Sequence, residues 1–558
     1  MDRVPGCEVG SNVYLLKWTT LNALRVSLTL NPSRAGNNRS NRNNINNDGR
    51  FPLRLDRAAI GLIFILTILI MGLLLLGYRG KPQVRSFNWA DRQVGAQDTA
   101  LTLSFNRPMD LGSVEKNIKF FTSDDKDLKP ATISGRLSWS GRKLFYTLDR
   151  PLPYGQSFQV RVEGGQDRFR SGDYHETMQP FQASFKTRDR SFAYIGAENE
   201  EEGRLVLFNL TQNQKIVLTP PNLVVFDFKP YPLGDRMLFS ATARSANPAL
   251  PTSLVEQELY TVTTGLRINT PSDDVPVVAD AKQVTKVLDN REFQLLKFDL
   301  STDGKTAVVQ RVNRKNQTQS TPWVIRLSTE QPPEMLKFDQ PTGDFLITPD
   351  SQALVVTQGQ GISVVNLDQA SEKEGKSESL SFLPKFGNVL GMSADGSTAA
   401  MVKFNTDFTR SLYLVNNQGT ETEIFKTTGS ILKAQFSANR RTLFCLLTEL
   451  ISGEQYVENP YIAAIDIGAI QKAQPIKADP QPPTIYPLLR LVDQRGVQMS
   501  LSPDNVGILL DQKVPAITQD GKQTQTSRLW LLPLGEDLTK PIDPVDLNIP
   551  GLLPRWLP

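Results

Sequence analysis

The chain has 558 residues, of which 39% are hydrophobic and 22% are charged, and its formal net charge is +4. This length exceeds what a single hydrophobic core supports, so we expect several domains. The small net charge provides no basic field for nucleic acid, and a single histidine, His175, argues against triad hydrolysis and histidine-rich metal sites. We interpret His175 as a surface-loop residue and predict no catalytic residue, no metal site, no cofactor and no nucleic-acid partner.

Residues 1–57 form an arginine-rich tail before a long apolar run. Within the tail, the asparagine-rich segment 37–48 is of low complexity, and we expect it to be disordered. The spacing in 14–30 fits both a helix and a strand, so a helix on the inner membrane surface and an unstructured segment stay open. Cys7 and Cys445 lie on opposite sides of the apolar run, which excludes a disulfide between them.

Residues 58–77 are apolar throughout, with Thr67 as the one polar side chain. A helix of about 20 such residues crosses a hydrocarbon core of about 30 Å, so we predict an uncleaved transmembrane helix. The Thr67 hydroxyl is expected to bond a backbone carbonyl of its own helix. Because positive charge in a short tail resists translocation, we expect residues 1–57 in the cytoplasm and the rest of the chain in the periplasm or outside the cell.

Residues 84–189 consist of short runs in which apolar and polar residues alternate. Turn signals rich in glycine, proline and asparagine separate these runs. Several short strands with regular turns in about a hundred residues indicate a β-sandwich. The strands are predicted at 100–105, 143–148, 157–162 and 181–187.

Several residues of this segment resemble a known family. The run FNRPMD at 105–110, Trp139 and the run LPYG at 152–155 are similar to the bacterial Ig-like domain of the SbsA type. The resemblance implies a spacer or adhesive module of cell-surface proteins, and the family has no active site to transfer. The cysteine pair of antibody domains is absent, so we expect apolar packing alone to hold the core.

Residues 190–558 repeat an apolar strand, a Ser-x-Asp-Gly-like turn, a second strand, a polar loop and a third strand. The turn positions are 68, 47, 45, 44 and 65 residues apart. Propeller blades repeat at about 40–50 residues, and insertions explain the longer gaps. We interpret the turn residues as hairpin formers rather than calcium or catalytic ligands. They are Asp235, Asp303, Asp350, Asp395, Asn439 and Asp504.

Two incomplete copies flank the six complete ones. Segments 192–196 and 204–210 have the pattern of a second and third strand without a first, and 552–558 has that of a first strand alone. Pairing of the two ends would complete a seventh blade and leave no free edge. The Ser-Pro-Asp run at 502–504 resembles the turns of TolB-type propellers. We therefore predict a mainly β chain that ends in a seven-bladed, TolB-like or WD40-like β-propeller over residues 190–558.

An Ig-like stalk that carries a propeller favours a membrane-tethered binding or scaffolding protein. The loops between second and third strands are long and lie on one face of a propeller, so we predict that this face binds a protein or an envelope polymer. Tolerated insertion is the alternative explanation. An envelope enzyme that hydrolyses glycans or peptides with two facing carboxylates is the alternative function. The long loops are 198–203, 245–257, 452–458 and 513–526.

Overall fold

The structure is a computed structural model that separates into two compact units, Met1–Gly80 and Lys81–Pro558. His175, Cys7 and the tail segments 14–30 and 37–48 lie outside the residues that the structure describes. The described residues are 54–77, 81–124, 127–168, 176–245, 254–266, 280–318, 320–329, 331–338, 340–359, 361–368, 379–451, 456–468, 470, 483–492, 494–517 and 523–558.

The described part of the first unit is helix α1, Arg54–Gly77, which includes the whole apolar run 58–77. Its large apolar side chains between Ile60 and Met71 are 49–67% exposed. The Thr67 hydroxyl donates to the carbonyl of Ile63 at 2.7 Å, as predicted. None of the helices within the described ranges is both long enough and apolar enough to cross a membrane.

The second unit begins with an Ig-like domain of two mostly antiparallel sheets. Their strand orders are β1-β3-β7-β6 and β2-β9-β8-β4-β5. Strands β3, β7, β8 and β9 have the bounds predicted from sequence. The elements are β1 (Val84–Phe87), β2 (Gln93–Val94), β3 (Ala100–Phe105), α2 (Leu111–Asn117), β4 (Ile118–Asp124), β5 (Asp127–Pro130), β6 (Gly135–Ser140), β7 (Lys143–Leu148), β8 (Ser157–Val162) and β9 (Phe181–Thr187).

Alternation along the strands builds the core of this domain. In β3, Leu101, Leu103 and Phe105 are buried, whereas the residues between them are partly exposed. They belong to one apolar cluster with Trp89 and Val160. Side chains of successive strand residues point to opposite faces, so this pattern places one face of β3 against the second sheet.

The rest of the second unit consists of repeated four-stranded antiparallel sheets. Five sheets have their four strands in sequence order, and a sixth sheet of seven strands has the order β12-β11-β10-β36-β35-β34-β33. The strands are β10 (Ser191–Gly196), β11 (Leu205–Asn209), β12 (Gln214–Val217), β13 (Leu223–Pro230), β14 (Arg236–Ala243), β15 (Glu258–Thr263), β16 (Val284–Leu288), β17 (Phe293–Leu300), β18 (Thr306–Asn313), β19 (Ser320–Arg326), β20 (Glu334–Met335), β21 (Thr342–Ile347), β22 (Ala353–Gln358), β23 (Gly361–Asn366), β24 (Ser379–Leu383), β25 (Asn388–Met392), β26 (Thr398–Phe404), β27 (Arg410–Asn416), β28 (Glu421–Thr427), β29 (Ile431–Phe436), β30 (Thr442–Ile451), β31 (Val457–Asp466), β32 (Ile485–Arg490), β33 (Met499–Leu501), β34 (Gly507–Ile517), β35 (Gln523–Pro533) and β36 (Val545–Trp556).

The long strand β36 belongs to two sheet repeats at once. It pairs with β35 over residues 545–550 and with β10 over residues 551–556. The predicted pairing of the two ends of the repeat region is therefore present, with Phe192 opposite Trp556. Counted in this way the described residues form seven four-stranded repeats. Repeats 1 to 5 are β13–β16, β17–β20, β21–β24, β25–β28 and β29–β32, repeat 6 is β33–β35 with the first half of β36, and repeat 7 is its second half with β10–β12.

Seven hydrophobic clusters each join two consecutive repeats, and the last one joins repeat 7 to repeat 1. Adjacent residues on the second strand of a repeat belong to different clusters, because their side chains point to opposite faces of the sheet. The free, buried Cys445 belongs to the cluster between repeats 4 and 5. Representative members, from the first junction to the seventh, are Leu238 with Phe298, Val308 with Leu354, Val355 with Met401, Val402 with Leu443, Leu446 with Leu510, Leu509 with Tyr194, and Ile195 with Phe239.

Each repeat has two distinct ends. Because the strands alternate in direction, the first–second turn and the third–fourth loop lie at one end, here the turn end. The second–third loop lies at the other, the hairpin end. The Ig-like domain contacts repeat 6 at its turn end, where the backbone N–H of Tyr154 donates to Asp504 at 2.8 Å. Arg150 also pairs with Glu536 in the third–fourth loop of the same repeat.

Candidate binding surface and charge cluster

The segment 513–526 was predicted to be a loop. It is for the most part strand, so this prediction is wrong. Strands β34 and β35 continue to pair as far as Ile517 and Gln523. Residues such as Val514 and Thr524 extend the strand pattern, so the backbone ladder continues beyond the body of the sheet. In repeat 5, β30 and β31 likewise pair as far as Ile451 and Val457. Parts of the predicted loops, residues 246–253, 452–455 and 518–522, lie outside the described residues.

The hairpin of repeat 4 presents a phenylalanine to solvent. Phe408, between β26 and β27, is 92% exposed and has a φ of +62°. A left-handed φ is uncommon for a bulky residue and costs energy, so the surrounding contacts must maintain it. Because the Phe408 side chain is exposed, it contributes little to the hydrophobic core of the fold.

Hydrogen bonds within the turn fix the backbone around Phe408. Its N–H donates to the carbonyl of Asn405 at 3.2 Å, and the Asn405 amide donates to the Thr409 hydroxyl at 2.9 Å. The Asp407 carboxylate accepts the N–H of Thr409 at 3.1 Å and pairs with Lys426 at 2.9 Å. Hydrogen bonds from Thr409 and Lys426 hold the pKa of the Asp407 carboxyl well below its usual range. The turn therefore keeps these bonds at neutral pH.

The neighbouring hairpin of repeat 5 adds further exposed apolar groups. Tyr456 is 68% exposed and Ile451 41% exposed, and Phe404 at the end of β26 is 59% exposed. These three residues and Phe408 are the aromatic hairpin surface. Its two hairpins belong to consecutive repeats and lie at the same end of the sheets.

Glu458 connects the two hairpins of this surface. Its carboxylate accepts the hydroxyls of Thr448 and Tyr456 and lies 3.9 Å from the guanidinium of Arg410. Burial alone would raise the pKa of Glu458, but these hydrogen bonds and Arg410 lower it overall. The carboxylate is therefore ionised at neutral pH and holds Tyr456 beside the hairpin of repeat 4.

Charged side chains also gather on the first strands of the repeats. Three ion pairs connect the first strands of repeats 7, 1, 2 and 3 in succession. Together with Lys433 on the first strand of repeat 5, their members are the first-strand charge cluster. The pairs are Arg555 with Asp227 at 2.7 Å, Lys229 with Asp299 at 2.8 Å, and Lys297 with Asp344.

Lys433 differs from the other cations of the first-strand charge cluster. Its ammonium group donates to the carbonyl of Met499 at 2.7 Å, and no ion pair among the described residues includes it. Burial, and then the positive charges of Arg555 and Lys229, lower the pKa of Lys433 to about 7. Burial likewise lowers the pKa of Lys297 to about 8. The cluster therefore contains more positive charge than its carboxylates neutralise around Lys433.

Three buried aspartates of the seven repeats test the enzyme alternative, which requires two facing carboxylates in the propeller. Asp299 pairs with Lys229, and Asp511 accepts the N–H groups of Gln498 at 2.6 Å and Leu553 at 2.8 Å. Asp504 accepts the Tyr154 N–H and lies 3.3 Å from Arg190. In the part of the chain that the structure describes, no hydrogen bond joins two of these carboxylates, and no group of three or more His, Cys, Asp or Glu side chains is placed to hold a metal ion.

The turn aspartates have the role expected of hairpin formers. The Ser301 hydroxyl donates to Asp303 at 2.6 Å, and Asp303 accepts the N–H of Lys305 at 3.0 Å. Asp350, Asp395 and Asn439 accept the same two bonds in their own turns. Asp504 adds contacts with the Ig-like domain, which the sequence did not indicate. For Asp235 the prediction is wrong: Tyr231 opens this turn, Leu233 holds the position equivalent to Asp303, and Asp235 pairs with Arg236 instead.

A comparison of equivalent positions would have located the first-strand charge cluster. The residue four positions before the Ser, Thr or Tyr that opens the turn is charged in four repeats. The turn motif is similar from repeat to repeat, whereas this position varies, so a search for the repeated motif does not find it. The four residues are Asp227, Lys297, Asp344 and Lys433.

Comparison with known proteins identifies the first domain of the second unit. Residues 79–187 match the family model of the bacterial Ig-like domain. The match supports the Ig-like domain predicted from the run FNRPMD and from the alternating strands. It covers the sandwich and none of the seven repeats. No curated protein matches the chain.

Solved structures resemble parts of the chain at low identity. TolB from Acinetobacter baumannii is 12% identical, with a TM-score of 0.34 over 60% of this chain and 77% of that one. Oligogalacturonate lyase from Vibrio parahaemolyticus is 11% identical, with a TM-score of 0.40 over 62% and 91%. Hydrazine synthase from Kuenenia stuttgartiensis is 12% identical, with a TM-score of 0.34 over 52% and 76%. These scores are too low to support an argument about function.

Proposed function

We propose that the chain is a membrane-anchored binding protein, and not an enzyme, whose aromatic hairpin surface contacts a protein outside the cytoplasm. The observation that carries the proposal is Phe408, which is 92% exposed on a turn whose hydrogen bonds fix a left-handed backbone. Aromatic side chains that are already held in place lose little entropy on binding and are typical anchors of interfaces.

A rigid scaffold supports this surface. We infer that the seven repeats close a β-propeller, because the seventh hydrophobic cluster joins repeat 7 to repeat 1. The ion pair of Arg555 with Asp227 crosses the same junction at 2.7 Å. A closed ring leaves no free sheet edge, so it holds hairpins from different repeats at fixed distances.

The location of the Ig-like domain also favours the hairpin end as the binding side. Its contacts with Asp504 and Glu536 are at the turn end of repeat 6. The aromatic hairpin surface lies at the opposite end of the repeats. A partner can therefore approach the hairpins without displacing the Ig-like domain.

Membrane anchoring rests on residues 1–77. The run 58–77 is uncharged, and the large apolar side chains described between Ile60 and Met71 are exposed. With the basic tail 1–57 retained in the cytoplasm, the second unit would lie outside it. Protease added to spheroplasts should degrade the second unit and spare the tail. Full protection of the repeats would contradict this orientation.

Site-specific photo-crosslinking in cells tests the binding surface. A photoreactive phenylalanine analogue at position 408 or 456 should yield one discrete protein adduct, which mass spectrometry identifies. The same analogue at Leu111, which is 45% exposed on α2 of the Ig-like domain, is the matched control. An adduct at both sites, or at neither, would refute the surface. If a purified envelope polymer prevents formation of the adduct, the partner is a polymer and not a protein. Hydrolysis of a glycan or peptide by the purified chain would refute the non-enzymatic role.

A further inference from the structure

A cavity of about 460 Å³ lies where repeats 7 and 1 meet the Ig-like domain, at the turn end. Gln93 and Arg188 line it from the Ig-like domain, and Leu233 lines it from repeat 1. Repeat 7 has no turn between its first and second strands, because β36 ends at Trp556 and β10 begins at Ser191. Small-molecule sites have volumes of about 300–1,000 Å³, so the cavity is large enough for a ligand of that class.

The strand register of repeat 7 gives this cavity a wall with two kinds of side chain. Ser191 on β10 lies opposite Asn209 on β11, which in turn lies opposite Gln214 on β12. All three line the cavity and form a polar row across the sheet. Residues two positions along a strand point to the same face, so Leu207 and Ile216, which pair with each other, form an apolar row beside it. The wall therefore presents polar groups next to an apolar surface.

Ser191 is the polar residue of this wall that lacks a partner. It is 3% exposed, and its hydroxyl forms no hydrogen bond with any of the described residues. Thr306 likewise begins the second strand of repeat 2, but its hydroxyl accepts a hydrogen bond from Arg326, the residue opposite, at 3.2 Å. The residue opposite Ser191 is Asn209, whose amide donates to Asp189 at 2.8 Å instead. Burying a hydroxyl without a partner is costly, so Ser191 favours a ligand that supplies one.

The lining side chains indicate the chemistry of that ligand. A serine hydroxyl and the amides of Gln93 and Gln214 both donate and accept hydrogen bonds, as the hydroxyl groups of a sugar do. Two acidic residues of the lining, Asp189 and Asp280, outnumber Arg188, so the local charge disfavours an anion. The apolar row suits the C–H surface of a sugar ring. An uncharged molecule rich in hydroxyl groups therefore fits the cavity.

We propose that this cavity binds a neutral saccharide of one or two rings. Ser191 and Gln214 form hydrogen bonds with its hydroxyl groups, and Leu207 and Ile216 contact its C–H surface. The cavity lies at the turn end, whereas the aromatic hairpin surface lies at the hairpin end. The saccharide site therefore does not depend on the protein partner proposed for that surface.

Saturation-transfer NMR on the full chain in lipid nanodiscs tests whether such a ligand binds. The probe is an equimolar mixture of glucose, galactose, mannose, N-acetylglucosamine, maltose, cellobiose, lactose and trehalose, to which glucuronate and galacturonate are added. Saturation should reach the ring C–H protons of at least one neutral sugar, and the two uronates should receive less. No transfer to any neutral sugar would overturn the proposal. Stronger transfer to the uronates would overturn recognition of a neutral ligand.

Calorimetric titration of variants with the sugar that receives most saturation locates the site. Ser191→Ala should weaken binding about tenfold, because the sugar loses a buried hydrogen bond. Without sugar, Ser191→Ala should not lower the midpoint of thermal unfolding, because the lost hydroxyl has no partner in the fold. Thr306→Ala is the matched control: it removes a hydroxyl bonded to Arg326, so it should lower the midpoint and bind the sugar as the wild type does.

Wild-type affinity in Ser191→Ala would overturn the assignment of the cavity. A lowered midpoint in Ser191→Ala without sugar would show that the hydroxyl supports the fold and would remove the observation on which the proposal depends. Gln214→Ala, which changes an exposed side chain, should also weaken binding. If Ser191→Ala does not fold, the affinity of Gln214→Ala decides, and wild-type affinity there would overturn the site.

Discussion

The two ends of the repeats use their polar and apolar groups in opposite ways. At the turn end, Asp504 is 5% exposed and accepts the Tyr154 N–H, and Arg188 donates to the carbonyl of Pro558 at 2.9 Å. At the hairpin end, Phe408 and Tyr456 are 92% and 68% exposed. Polar groups satisfied within the chain have little left for a partner, whereas an exposed aromatic group gains by burial. The turn end therefore contributes to the fold, and the hairpin end carries the proposed binding surface.

The largest effect on stability should follow from removing the last residues of the chain, which make contacts at the turn end. Truncation after residue 549 deletes the second half of β36, which includes the buried Trp556, together with the buried Leu557 that follows it. Losing two core side chains costs at least about 5 kcal/mol, and the free edge of β10 favours aggregation. Thermal unfolding and light scattering should show a less stable, aggregating protein. Deletion of Pro558 alone is the control, and an equal effect of both deletions would argue against the strand as the cause.

The next effect compares two equivalent turn residues. Asp504→Ala removes a buried acceptor from Tyr154 and leaves Arg190 without its carboxylate, so the free energy of unfolding should fall by about 3 kcal/mol. Asp395→Ala changes the same turn position in repeat 4, where the carboxylate is 42% exposed and pairs with Arg440. It should cost about 1 kcal/mol or less. Urea denaturation of both variants measures the difference, and equal losses would show that the Ig-like contact adds nothing.

Much of this architecture was predictable because the turn end has a local sequence code. A Ser or Thr hydroxyl and an Asp carboxylate form the turn within a few residues, as at Ser301 and Asp303. The apolar runs on either side then mark the first and second strands. The fourth strands were not predicted from the sequence, because they are edge strands of the sheets and lack a regular sequence pattern. Strand β20 has only the residues Glu334–Met335.

The candidate sites were less predictable because they depend on tertiary structure. Nothing in the run FNTDFTR at 404–410 distinguishes Phe408 from a core residue, since its exposure follows from the backbone of the turn. The charges of Lys433 and Arg555 are visible in the sequence. The partners of these charges, the Met499 carbonyl for Lys433 and Asp227 for Arg555, lie on other first strands that are far apart in the chain.

Lys433 lies on a first strand, between the two ends of its repeat, and should make the free energy of unfolding depend on pH. The pKa of Lys433 is about 7 in the folded chain, below the value of about 10.4 in an unfolded chain. Between these values the unfolded chain binds more protons, so the free energy of unfolding should rise with pH above 7. Lys433→Met should flatten this rise, by at most about 1.4 kcal/mol per pH unit. Urea denaturation at pH 7, 8 and 9 measures it, with Lys403→Met as control; identical slopes would contradict the lowered pKa.

The smallest effect on stability should come from Phe408, the residue on which the proposed binding surface depends. Phe408→Gly removes an exposed side chain and relieves a left-handed φ, while glycine increases the entropy of the unfolded chain. These opposing terms should leave the free energy of unfolding within about 0.5 kcal/mol of the wild type. Phe386→Ala, at a phenylalanine just before β25 that is 1% exposed, should cost about 3 kcal/mol. Denaturation curves and partner capture, measured on both variants, separate the two roles. If Phe408→Gly unfolds as readily as Phe386→Ala, Phe408 supports the fold, and the contrast between the two ends fails.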